Sequence, residues 1–261
     1  MLKRLLTIVV SVVLLLCSIS SGFAQENASL YENFIYGTSV QGRLLLCHRI
    51  GDPQAAKSFL MVFGIHGFED SFKRDGAVLS QIANLIIDHY RTNPALLGDN
   101  VLYIVPCANP DGQEAGTSQD GFGRCNADGI DINRDFPVGW KKMSTTRYKT
   151  GSEPFSTAEA RALRYLVETL SPTYGADVHG WINRAYGDPA LAQPFMDAFG
   201  FKYHEYKSGG MLSQWMAEEM EAAVLIELPD NARADGFAED CAAKLIQALN
   251  SWFGTDTAQG S

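Results

Sequence analysis

Residues 59–63 read Phe-Leu-Met-Val-Phe, five apolar side chains in succession, and the run stops at Gly64. A short unbroken run of this kind, with a glycine to end it, is a strand buried on both faces. Such a strand belongs inside a sheet that is covered above and below, so the chain must supply helices for both sides. It does. Strands are predicted over 43–50, 58–65, 100–105, 176–178 and 223–228. Helices are predicted over 76–90, to about 170 from the capping box Ser156-Thr157-Ala158-Glu159, and over 191–199, 211–221 and 236–252. Residues 25–35 read as a polar lead-in and 36–39 as a turn. Alternating strands and helices define an α/β fold, a three-layer α/β/α sandwich around a mixed, mostly parallel twisted sheet. Ligands of such sheets bind beyond the carboxyl ends of the strands.

The chain opens with Lys3 and Arg4, an apolar run from Leu5 to Leu16, and the small-x-small triplet Gly22-Phe23-Ala24. That is the pattern of a secretory signal peptide over residues 1–24, too short for a membrane span. Lipid attachment at Cys17 is disfavoured by the bulky Leu16 before it. The expected mature protein is exported, periplasmic or extracellular, with one domain over 25–254, a disordered tail over 255–261 and no membrane span. A monomer is expected. The net charge of −9 excludes a nucleic-acid partner, which needs a basic stripe. Cys47, Cys107, Cys125 and Cys241 form no C-x-x-C pair, and two disulfides among them are open to an exported chain.

Chemistry-bearing residues gather at the predicted strand ends. His66 and Glu69 follow the 58–65 strand three residues apart, a spacing in which an imidazole and a carboxylate can bind one Zn²⁺. Taken alone, the pair also fits a surface loop. His179 ends the 176–178 strand and would complete a His-Glu-His set with a fourth position open, the pattern of a catalytic rather than a structural zinc site. Glu227 ends the buried strand 223–228, where a carboxylate is costly unless paired or working; beside a metal-activated water it is the natural general base. Asp131, Asn133 and Arg134 lie in the long, poorly periodic stretch 107–153, preceded by Arg124. A fixed guanidinium there can hold a carboxylate through two parallel hydrogen bonds, with an adjacent amide adding a third.

Six segments, in order, resemble the zinc carboxypeptidases of the carboxypeptidase A type, especially short bacterial members similar to murein-peptide amidases. They are His66-Gly67-Phe68-Glu69, Asn109-Pro110-Asp111-Gly112, residues 129–137 around Asp131-Ile132-Asn133-Arg134, Pro154-Phe155-Ser156, Asp177-Val178-His179 and Ile226-Glu227-Leu228. The resemblance covers about residues 36–250. It implies one zinc on His66, Glu69 and His179, with Glu227 as general base and acid. It also implies an oxyanion-stabilising Arg124, Asn133 and Arg134 on the substrate's terminal carboxylate, and Asp131 behind a zinc histidine. The family's substrate-binding tyrosine precedes Ser-Gly-Gly, here Ser208-Gly209-Gly210. Counting back from Glu227 puts Glu205 in that slot; a slip of one restores Tyr206, and Tyr203 is a further candidate. The same counting lines the pocket for the leaving side chain with Leu212 and Leu225. Asp177 either reaches that pocket or is tied up by backbone donors. Gly180 stands where the family often has serine.

The implied activity is zinc-dependent hydrolysis of the C-terminal bond of a peptide with a free carboxylate, peptidoglycan stem peptides included. Two alternatives remain on this fold: an acylase-like hydrolase of amino-acid conjugates and a catalytically silent binding module.

Overall fold

A computed structural model describes residues 29–116 and 120–254. The predicted signal peptide and the predicted tail lie outside the described residues. In chain order the elements begin with β1 (Tyr31–Thr38), β2 (Leu44–Ile50), β3 (Lys57–Phe63), α1 (Gly76–Thr92), β4 (Asn100–Val105) and α2 (Pro110–Ala115). They continue with α3 (Ala158–Leu170), β5 (Tyr174–Gly180), β6 (Arg184–Gly187), α4 (Pro189–Phe199), β7 (Lys202–Tyr203), α5 (Leu212–Glu219), β8 (Ala222–Leu228) and α6 (Phe237–Phe253).

The strands form one eight-stranded sheet in the order β1-β2-β4-β3-β5-β8-β6-β7. The inner four, β4, β3, β5 and β8, run parallel, while β2 on one side and β6 on the other are antiparallel to their inner neighbours. Side-chain alternation along β3 divides the core. Phe59, Met61 and Phe63 pack under Leu79, Ile82 and Ile86 of α1, Phe195 of α4 and Leu245 and Leu249 of α6. Leu60 and Val62 point the other way, toward Leu163 and Leu166 of α3 and Trp215 and Met216 of α5. The sheet is therefore mixed and has helices on both faces, the three-layer arrangement that the apolar run required. In β5, Ala176 and Val178 join the first core, so Asp177 and His179 face the α3–α5 side. Val224 and Ile226 of β8 do the same, which turns Leu225 and Glu227 toward Asp177 and His179.

Two local expectations change. Residues 31–38 are a strand rather than a lead-in and turn. β1 is a sheet edge whose outward residues Glu32, Asn33 and Ile35 are exposed, so it carries no apolar run to announce it. Gly37 is required there, because a Cβ would collide with the Ala162 side chain of α3. The cap of α3 is Thr157, whose side chain accepts from Ala160 N at 3.1 Å. Ser156 instead donates to Asp135, and Glu159 turns inward to accept from Val40 N and Asn126 Nδ2, both at 3.0 Å. All four described cysteines are free thiols. No helix of the described residues is long and apolar enough to cross a membrane.

Candidate active site

The carboxyl ends of β3, β5 and β8 open into a pocket of about 390 Å³. His66, Glu69, Arg124, Asn133, Arg134, His179, Leu225 and Glu227 all line it. The first three come from loops that must be pinned, because no helix or strand fixes them. Asn109 pins two of these loops together. Its Oδ1 accepts from Gly112 N at 2.9 Å, and its Nδ2 faces the carbonyls of Ile65, Arg124 and Cys125 at 3.1–3.4 Å. Gly67 lies so close to Gly112 that a Cβ would overlap that residue's backbone. The Asn-Pro-Asp-Gly segment therefore positions the His66–Glu69 turn without entering the pocket.

Asp75 holds the other end of that turn. Fully buried just before α1, it accepts from Glu69 N at 2.7 Å, Ser71 N at 2.8 Å and Trp181 Nε1 at 3.0 Å. Sequence reasoning did not single out Asp75 or Trp181. Asp75 reads as a helix cap, yet it makes no cap bond to α1 and spends its carboxylate on the turn.

His66, Glu69 and His179 are 4% exposed or less, and one donor atom from each lies within 4.8 Å of the others. The Glu69 carboxylate sits between the two Nδ1 atoms, 3.2 Å from that of His66 and 3.1 Å from that of His179. Asp131 stands behind His66, its Oδ1 3.0 Å from Nε2. Two imidazoles and one carboxylate, converging through Nδ1 on one point with a carboxylate behind a ring, fit a zinc ion with an open coordination position. The electrostatics agree. Burial pushes the Glu69 carboxyl up, but His66 and His179 outweigh it and bring it down to about 2. Burial likewise disfavours His179 as a cation, and the Asp177 and Glu69 carboxylates reverse that, holding its pKa well above the usual histidine range.

Glu227 stands in register with His179 across β5–β8 and with Arg184 across β8–β6. Burial is the chief cause that pushes its carboxyl up to about 7, against the pull of His179. Arg124 is buried, and its Nη1 lies 3.5 Å from Asp70. Burial works against its charge, but Asp131 and Glu69 more than offset this and keep the guanidinium firmly protonated. Arg134 forms no ion pair among the described residues; it stacks 5.1 Å over Tyr148 and donates to the Asn133 carbonyl at 2.6 Å. Asn133 accepts from Leu212 N through Oδ1 at 2.8 Å, which fixes its amide orientation.

The pocket for the leaving side chain differs from expectation. A side cavity of about 140 Å³ adjoins the main pocket and shares Met211, Leu225 and Glu227 with it. Tyr206 lines it, as do the charged side chains Arg184, Glu205 and Lys207. Leu212 does not: it is fully buried in the core beneath α5, and Met211 takes the wall position. One residue's offset at a helix start turns a side chain by about 100°. Tyr206 stacks on Tyr186 and donates to Ser213 Oγ at 3.0 Å. Tyr203 is turned away, donating to Gly187 O at 2.7 Å. Asp177 is fully buried and lines neither pocket, and neither of its oxygens has a hydrogen-bonding partner in good geometry.

The fold and the converging His-Glu-His set define a metallohydrolase architecture, and sequence comparison gives it a family. A profile of the zinc carboxypeptidases matches residues 17–194, and the chain belongs to that family of zinc metallopeptidases. Bacteriocin BCN5 of Clostridium perfringens is 36% identical over 214 residues, covering 78% of this chain. Murein peptide amidase A of Escherichia coli K12 is 27% identical over 219 residues, or 74% of this chain. The chain spans 23% of the bacteriocin's length and 80% of the amidase's. Murein-tripeptide amidase MpaA from Escherichia coli O157 has the same fold, with a TM-score of 0.63 at 22% identity over 87% of this chain and 93% of its own. Carboxypeptidase A from Helicoverpa armigera aligns with a TM-score of 0.70 at 19% identity, over 91% of this chain and 71% of its own.

Proposed function

We propose that this chain is a zinc-dependent carboxypeptidase that removes the C-terminal residue from a peptide carrying a free carboxylate. The observation that carries the reading is a single pocket lined by the clustered His66, Glu69 and His179, by Glu227 and by Arg134, which has no ion-pair partner among the described residues. His66, Glu69 and His179 would hold the zinc, which supplies Lewis acidity and makes water a nucleophile near neutral pH. Glu227 takes the proton from the attacking water and returns it to the leaving amine. Burial raises this carboxyl to about 7 without metal, and a bound cation would draw it down, so it stands ready as the carboxylate that takes the proton. Arg124, permanently charged, stabilises the oxyanion that forms on the scissile carbonyl. Arg134, with no acid of its own, receives the substrate's terminal carboxylate, and Asn133 stands beside it.

The leaving side chain enters the cavity beside Tyr206. Its charged wall of Arg184, Glu205 and Lys207 favours a polar, doubly functional side chain over a greasy one. Diaminopimelate, with an amine and a carboxylate at its far end, matches that wall, so peptidoglycan stem peptides are the substrate class. The predicted signal peptide would deliver the enzyme to them. The test is zinc analysis of the purified protein together with competition between γ-D-glutamyl-diaminopimelate peptides and peptides ending in Phe or Leu. The stem peptides should win. A tenfold preference for the apolar peptides in kcat/KM, about 1.4 kcal/mol, would reject the cell-wall substrate and leave a general carboxypeptidase.

A further inference from the structure

Asp177 is a fully buried acid that the proposed chemistry does not use. A carboxylate with no aligned donor is expensive to bury, so one that persists beneath a site needs a partner. Alternation along β5 puts it on the same face as His179, and its Oδ1 lies 3.0 Å from His179 Nε2. The contact is close but out of hydrogen-bonding alignment, so both oxygens remain unpaired. A second polar group, Asn133 Nδ2, also lies 3.0 Å from Nε2 and is aligned for a hydrogen bond with it. That group is a donor, because the Asn133 oxygen is committed to Leu212 N–H. Of these two neighbours only Asp177 can therefore accept a proton from Nε2.

The tautomer matters. Nδ1 of His179 faces Glu69, the side on which the three ligands converge. For Nδ1 to offer a lone pair to a metal, the ring proton must sit on Nε2 and needs an acceptor there. We propose that Asp177 is a positioning residue that takes the His179 Nε2–H and so commits Nδ1 to the metal. It would serve His179 as Asp131 serves His66, giving each histidine its own carboxylate. Seating the Nε2–H on Asp177 would require a small rotation of the ring away from the Asn133 amide. The inference rests on the reading of His66, Glu69 and His179 as the zinc ligands.

The test is competitive zinc titration against a chromophoric chelator at fixed pH, on the parent, D177A, D177N and H179A. D177A should bind zinc about 10- to 100-fold more weakly, the usual effect of losing an outer-shell partner. D177N keeps the shape and one oxygen acceptor but loses the charge, so it should fall between parent and D177A. If D177A fails to fold, a D177N loss of at least threefold carries the same conclusion. Nitrogen-15 spectra of the zinc-loaded protein supply a readout that a purely structural role would not move. The parent should show a slowly exchanging, downfield His179 Nε2–H that is lost in D177A and shifted in D177N. Zinc affinity within threefold of parent in every folded Asp177 variant, or an unaltered Nε2–H signal, would overturn the proposal. H179A separates this from the site itself. Zinc retained in H179A rejects the ligand set, whereas zinc lost in H179A but kept in the Asp177 variants rejects only the role of Asp177.

Discussion

Replacing Asp75 by asparagine tests whether the metal-ligand turn is held from behind. The two oxygens divide their work: Oδ1 accepts from Glu69 N at 2.7 Å, and Oδ2 accepts from Ser71 N at 2.8 Å, Phe72 N at 3.4 Å and Trp181 Nε1 at 3.0 Å. An amide keeps one acceptor. Its favoured orientation leaves the oxygen with the three donors and turns the NH₂ against Glu69 N–H, a donor facing a donor. Glu69 is 4% exposed, so water does not replace the lost partner. Losing a hydrogen bond to a charged group and stranding a buried N–H together cost about 2–3 kcal/mol. Urea unfolding of the zinc-free protein should show that loss as a lower midpoint at unchanged slope. Because the broken bond belongs to the backbone of a proposed ligand, zinc affinity should also fall, by about tenfold or more. A variant within about 0.5 kcal/mol of parent, the ordinary range of a surface change, with zinc affinity within twofold, would refute the account of the turn.

Changing His66, Glu69 or His179 to alanine should abolish stoichiometric zinc in the purified protein, and an E69A that binds zinc as tightly as parent would break the ligand set. E227Q should keep zinc and lose on the order of 10²–10⁴-fold in kcat. The base works deprotonated, so kcat/KM should rise with pH along an acid limb; a bound dication favours the carboxylate and moves that limb below the metal-free value of about 7. The limb should vanish in E227Q, and its survival at the same midpoint would assign it to another group. R134A should raise KM for free-carboxylate peptides about 30-fold, equivalent to about 2 kcal/mol for one side of a charge pair, and barely affect C-terminal amides. Equal damage to both substrates would reject recognition of the terminal carboxylate.

What was legible follows from how each part is held. The inner strands and the long helices announce themselves because burial on a repeating face imposes a period on the sequence. β1 and the short β6 and β7 lie toward the sheet's edges, where most residues are exposed or only partly buried, and the period is diluted. His66, His179 and Glu227 could be singled out because each stands at or just beyond the end of a legible strand, where polar residues interrupt an apolar run. Arg124, Asn133 and Arg134 were visible only as polar residues able to hold a carboxylate, and their separate roles rest on family resemblance, since residues 107–153 are fixed by scattered polar contacts that leave no periodic trace. Examples are Asp131 N to Lys149 O at 2.8 Å and Asp135 accepting from Thr157 N at 2.8 Å.

The same distinction explains why the side-pocket wall differs from the expected one while His66, Glu69 and His179 converge as expected. A ligand at a strand end is placed by the strand's register, which alternation along the chain reveals. A wall residue at a helix start depends on which residue begins the turn, and Met211 rather than Leu212 is the cap of α5. That one-residue offset exchanges Leu212 for Met211, both apolar; the charge in the wall comes from Arg184 of β6 and from Glu205 and Lys207, in a segment with no period to read. Asp75 and Trp181 lie further out of reach, 106 residues apart in sequence and joined by one 3.0 Å bond. Each has an ordinary local reading, as a helix cap and as a core aromatic. Only the folded chain brings the Trp181 N–H and the turn carrying Glu69 to the same carboxylate, so support of the proposed metal site from behind is a tertiary property even where its candidate ligands can be read along the chain.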